Sequence, residues 1–180
     1  MQPWKKKKGL MRAAKYSCVL EPMEREVLGD LSATVSEALI KRAQSAPKDE
    51  LAEMTGIPSG HKDAPEDPSL ARLLPDFERD GDEEYDGDNS LLRSLHENDI
   101  TKAKLANLQV LNHALGPDGG VTVTATEEEA QSWAAALNDI RLFVAAGEVR
   151  GGEQAVQDRD NLVEWLAFNQ DSLLSAMMGN

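Results

Sequence analysis

The sequence is short of the groups from which staples and active sites are made. Its one cysteine, Cys18, cannot form a disulfide within the chain. A nucleophilic role for that thiol needs a histidine folded beside it, and a reduced thiol packed in a small sheet is the commoner use. His61, His96 and His113 are scattered, and no two stand at the helical spacing of a metal pair. Gly119 and Gly120 precede a β-branched run and are not followed by Lys-Ser or Lys-Thr, so there is no phosphate loop. No serine sits in a strand-turn-helix nucleophile elbow. The reading is therefore of no metal, no cofactor and no catalytic residue that can be named. Long apolar runs are missing too. Nothing approaches the ~18–20 apolar residues of a membrane span. The stretch after the first lysines, "GLMRAAKYS", is broken by Arg12 and Lys15, unlike a signal peptide. The expectation is a cytoplasmic protein with no membrane partner.

What is present is charge, unevenly spread. Residues 1–15 hold Lys5, Lys6, Lys7, Lys8, Arg12 and Lys15 and no acid. Against a net charge of −13 for the whole chain, those six cations leave −19 on the rest. An acidic body repels phosphate backbones, because such binding depends on Lys and Arg displacing counterions. Nucleic acid is thus an unfavoured partner. A protein partner fits a helical body with a basic arm and an acidic loop.

Periodicity predicts a mainly α (α+β) fold: one helical domain over residues 1–180 with a small N-terminal β-hairpin or short sheet. Residues 1–20 read as a basic hairpin arm turning near Lys8-Gly9, its lysines shielding an exposed edge strand. "EPMEREVLGDLSATVSEALIKRA" reads as a helix with Pro22 in its first turn and Val27, Leu28, Leu31, Val35, Ala38 and Leu39 on its buried face. "LAEMTGI" looks like the first half of a helix-turn-helix. "PSGHKDAPEDP" follows where a recognition helix should stand, which removes that reading. Asp67 and Pro68 open a short helix over "DPSLARLLPDF". Residues 77–90 read as a flexible acidic loop. An EF-hand frame there would use Asp82, Glu84, Asp86 and Gly87, but it puts Arg93 at the position of the bidentate carboxylate. Next come a short helix and a long one with a Leu105, Leu108, Leu111, Leu115 stripe, and a strand at Val121–Thr124 able to pair with the hairpin. Thr126 and Glu129 form a capping box for the following helix. The last helix carries Leu162, Trp165, Leu166, Leu173 and Met177. Its leucines would serve a homodimer as well as an ordinary core.

The candidate site lies in "WAAALNDIRLF", residues 133–143. Trp133, Leu137, Ile140 and Val144 share one helix face. Asp139 and Arg141, two residues apart, diverge and cannot pair with each other. A buried charge needs a partner, and "ARLLPD" offers Arg72 and Asp76. The expected junction is crossed: Arg141 with Asp76 or Asp67, Asp139 with Arg72, and Asn138 bonded to backbone beside them. Such a junction is either a sealed brace or the wall of a polar pocket.

"EDPSLARLLPDF", "EEAQSWAAALNDIRL" and "VEWLAFNQDSLL", in this order and spacing, together with "LEPMEREVL", resemble an actinobacterial family, the domain of unknown function numbered 2017. The resemblance implies a small, mainly helical cytosolic protein with no established activity. Some members carry a transcription-regulator label, and family genes often lie near the adaptor of the Clp protease, an association with protein quality control. By resemblance Arg72, Pro75, Asp76, Trp133, Asn138, Asp139, Arg141 and Trp165 are the family's positions here. The expected function is that of a non-catalytic interaction or regulatory factor linked to proteolysis or stress. The alternatives are a small-molecule binder or enzyme at Arg72, Asp139 and Arg141, and a nucleic-acid-binding regulator.

Overall fold

Alternation of exposed and buried side chains builds the first elements. Strand β1 (Lys5–Gly9) and strand β2 (Arg12–Leu20) form an antiparallel pair with Lys6 opposite Tyr16. Strand β3 (Val121–Ala125) joins the other side of β2, antiparallel, with Cys18 opposite Val123. The order is β1-β2-β3. The period of two gives the sheet two unlike faces. Tyr16, Cys18, Leu20, Val123 and Ala125 are buried on one, while Lys5, Lys7, Lys15, Thr122 and Thr124 are exposed on the other. The computed structural model describes residues 2–9, 12–47, 50–56, 59–78 and 85–179. The expected hairpin turn falls partly on residues 10–11, outside them, as do Asp82 and Glu84 of the calcium frame.

Six helices follow among the described residues: α1 (Pro22–Gln44), α2 (Glu50–Thr55), α3 (Pro68–Leu73), α4 (Tyr85–Leu115), α5 (Glu127–Ala146) and α6 (Gly152–Met178). Their ends obey local chemistry. Pro22 and Pro68 occupy first turns, and the Asp67 carboxylate accepts the Leu70 N–H at 2.9 Å. Thr126 and Glu129 satisfy each other's backbone N–H at the start of α5, at 3.2 and 2.7 Å. Gly116, at φ +68°, takes the left-handed conformation that ends α4.

Two expectations change. The short and long helices after the acidic run are one helix of 31 residues. It begins at Tyr85, inside the 77–90 segment read as a loop; residues 79–84 of that segment lie outside the described residues. Acidic residues suit the positive end of a helix dipole, so a run that reads as solvated loop also makes a good helix start.

The core lies where the inner sheet face meets the helices. α5 packs against α3, α4 and α6 and touches β2 and β3. Trp133, Leu137 and Ile140 of α5 are buried against Leu28, Val35 and Leu39 of α1, Leu108, Leu111 and Leu115 of α4, and Leu166 and Leu173 of α6. The Trp4 ring meets Trp133 edge-on, centroids 5.3 Å apart. Each buried leucine contributes roughly 1.5–3 kcal/mol relative to exposure. Leu166 and Leu173 are thus used inside the chain, while Phe168 and Leu174 reach the surface. Among the described residues no helix is long and apolar enough to cross a membrane.

Candidate functional site

The inward face of α4 runs through residues 93, 97, 101, 104, 108, 111 and 115, steps of four and three that keep one stripe in register. Its second half is apolar: Leu108, Leu111 and Leu115. Its first half is polar and equally hidden. Arg93 is 1% exposed, Glu97 3% and Thr101 3%.

Buried charge survives only when paired, and here the pairing is dense. Arg93 Nη2 donates to Asp76 Oδ1 at 2.6 Å, and Arg93 Nη1 to Glu97 Oε2 at 2.8 Å and to the Leu74 carbonyl at 3.0 Å. Glu97 Oε1 accepts from Arg42 Nε of α1 at 2.8 Å. Arg42 Nη2 reaches Glu97 Oε2 at 3.3 Å and the Asp63 carbonyl. Two guanidiniums and two carboxylates leave the cluster neutral. The loop before α3 closes over it: the Gly60 N–H donates to the Ser94 carbonyl at 2.8 Å. A Cβ on Gly60 would stand 3.2 Å from that oxygen, tighter than ordinary contact. His61 Nε2 lies 2.8 Å from the Arg42 carbonyl and 3.1 Å from Ser45 Oγ at the end of α1. The cluster thus fastens α1, α3, α4 and the loop together. With its guanidiniums paired to carboxylates it has the character of a brace.

The expected junction is rearranged. Asp139 is buried, but its partner is Lys104 of α4, Nζ to Oδ1 2.7 Å, not Arg72. Arg141 Nη2 donates to Asn138 Oδ1 on its own helix at 2.9 Å, not to Asp76 or Asp67. Asp76 belongs to Arg93, and Asp67 caps α3. Arg72 is exposed and makes no ion pair among the described residues. Lys104 lies on the inward stripe opposite α5, whereas Arg72, in the last turn of α3, points to solvent. So Asn138 and Arg141 are brought together, Asp139 stands apart on the α4 side, and Arg72 and Asp76 diverge. Arg42, Arg93, Glu97 and Lys104 were missed. The signal for them was the i,i+4 spacing of Arg93 and Glu97, and Lys104 in step with Leu108.

Three of the clefts on the surface of the described residues bear on the site. One of about 420 Å3 lies between α4, β3 and α5, with Val110, His113, Glu129 and Trp133 in its wall. One of about 100 Å3 adjoins the brace at Phe77 and Arg93. The third, about 500 Å3, lies between Trp4–Lys6 and the last turns of α6. Arg72, Asp139 and Arg141 line none of these three. Among the described residues no group of three or more His, Cys, Asp or Glu side chains could hold a metal ion. Burial, reinforced by the nearby Glu24 carboxylate, pushes the Cys18 thiol up to about 12, so it stays protonated at neutral pH and is a poor nucleophile.

Similarity to known proteins extends over the same structure. Residues 1–177 match the family described as Domain of unknown function (DUF2017). The chain belongs to this family. It is also 36% identical to the oxidative stress regulator AosR of Mycobacterium tuberculosis and to that of Mycobacterium bovis, over 92% of this chain and 84% of theirs. It is 34% identical to a putative oxidative stress regulator AosR of Mycobacterium leprae, over 91% of this chain and 83% of that one. The family placement thus agrees with the resemblance carried by "EDPSLARLLPDF", "EEAQSWAAALNDIRL" and "VEWLAFNQDSLL". No solved structure matches.

Proposed function

We propose that this protein is a non-catalytic regulatory factor of the oxidative-stress response that acts by binding another protein. The observation that carries the reading is likeness, over nearly the whole chain, to proteins named oxidative stress regulators. Similarity on that scale spans the entire core and not one borrowed motif. The chemistry of the site supports the same reading. The buried ions are matched in internal pairs, and the thiol is hidden and protonated. Within these 180 residues Cys18 has no partner cysteine, so regulation here does not run through a disulfide inside the chain.

Removal of the coding sequence from its native host, followed by hydrogen peroxide challenge, tests the proposal. Growth and stress-transcript induction should be impaired and restored by the wild-type protein. A Cys18→Ala protein should restore them as well. Unchanged peroxide sensitivity and transcripts in the deletion strain would refute a role in oxidative stress.

A further inference from the structure

From the first strand and what surrounds it, we infer that β1 is a docking edge for an extended acidic segment of a partner protein, added to the sheet as a fourth strand. The inference deepens the reading of a protein-binding regulator and rests on it. Among the described residues strand β1 pairs only with β2, so its other side has no strand neighbour there. An edge of this kind recruits a peptide through main-chain hydrogen bonds, with side chains at alternate positions setting the choice. Beside it lies the cleft of about 500 Å3, bounded by Trp4, Lys5 and Lys6 on one side and Ser172, Ser175 and Ala176 of α6 on the other. Within reach of that cleft a backbone amide already takes a side-chain partner: the Trp4 N–H donates to Ser172 Oγ at 2.8 Å.

The charge names the occupant. Lys5 and Lys7 are exposed on the same face, and Lys7 stands directly across from Lys15 of β2. Like charges placed opposite one another in a sheet are destabilising. None of the three makes an ion pair among the described residues. Lys6, by contrast, is held down, its Nζ 5.6 Å from the centre of the Tyr16 ring and 3.4 Å from the Met177 carbonyl. A lysine-bearing edge repels the same edge of a second copy, and it complements a strand with Asp or Glu at alternate positions. A nucleic acid would also meet the cations. It cannot, however, make the main-chain hydrogen bonds of an added strand, and its denser charge meets a chain with −19 outside residues 1–15.

The test is fluorescence anisotropy of a labelled peptide of alternating Glu and Val with the full chain. The comparison ligands are a Lys-Val peptide, a short DNA duplex and phosphatidylserine vesicles. The acidic peptide should bind and the basic one should not. The double variant Lys5→Glu/Lys7→Glu should weaken binding at least about tenfold, because like charges now face each other. Its Tm should be unchanged or higher, since the Lys7–Lys15 repulsion is relieved, so lost binding cannot be ascribed to misfolding. Amide exchange in β1 should slow when the peptide is bound. The inference is overturned by no binding, by equal binding of both peptides, by indifference to the double variant, by unprotected β1 amides, or by tighter binding to the duplex or vesicles. Failure here leaves a peroxide phenotype intact, and absence of that phenotype leaves peptide binding intact, so the two failures are separable.

Discussion

The two halves of α4 bury the same stripe by opposite means. The half from Leu108 to Leu115 gains from the removal of apolar surface from water, a force that needs no direction. The half from Arg93 to Lys104 hides ions, whose desolvation is offset only by exact pairing geometry. The apolar half is held by close packing without directional bonds. The ionic half adds direction, and it ties together α1, α3, α4 and the loop around Gly60 in one arrangement. A carboxylate shared by Arg42 and Arg93 fixes where α1 lies along α4.

The sharpest way to break this comparison is at Glu97. Glu97→Ala leaves two buried guanidiniums without their shared anion and should cost about 3–5 kcal/mol, measured from the urea midpoint. A loss no greater than that of a surface substitution would show the brace to be dispensable. The joint replacement Arg42→Met/Arg93→Leu/Glu97→Leu should cost less than Glu97→Ala alone, because no charge is left stranded. In the apolar half, Leu111→Ala should cost about 2–4 kcal/mol through lost burial and a residual cavity. Lys104→Met, which strips Asp139 of its cation, should cost about 1.5–3 kcal/mol, with full recovery of the fold at low denaturant.

Smaller effects separate the sheet from both halves. Cys18 has a folded-state pKa raised to about 12. Above the ordinary thiol value near 9 the unfolded chain releases its proton while the native chain keeps it. Stability should therefore be whole below pH 9 and decline as pH rises from there towards 12. The Cys18→Ala variant should show a flatter decline in Tm across that window. The smallest effect belongs to Arg72. Arg72→Ala should shift stability by less than about 0.5 kcal/mol. The exchange Arg72→Asp/Asp139→Arg should recover nothing lost in Asp139→Arg, since Lys104 is the neighbour that matters; recovery would restore the crossed junction.

Much of the scaffold was legible because it rests on local rules. The capping box at Thr126, the Asp67–Pro68 start, the strand at Val121 and the Trp133, Leu137, Ile140 face follow from residues a few positions apart. The brace was not legible in the same way. Arg93, Glu97 and Lys104 keep the same spacing as the leucines, but charged residues at that spacing read equally well as a solvated helix face. Asp139 was rightly expected to need a partner, but several cations lie in the sequence, and spacing along one chain does not choose among them.

By itself the sequence determined the helical class, the strand-forming segments, the single cysteine, the uneven charge and the membership of a family. Each is set by composition or by patterns along the chain. The tertiary structure alone decided that Glu97 is shared by Arg42 and Arg93, that Asp139 faces Lys104, and that β1 carries its lysines along an open edge beside a cleft. Those outcomes depend on which helix faces are brought together across dozens of residues. A pairing of charges is decided by distance and burial, and neither exists until the chain has folded.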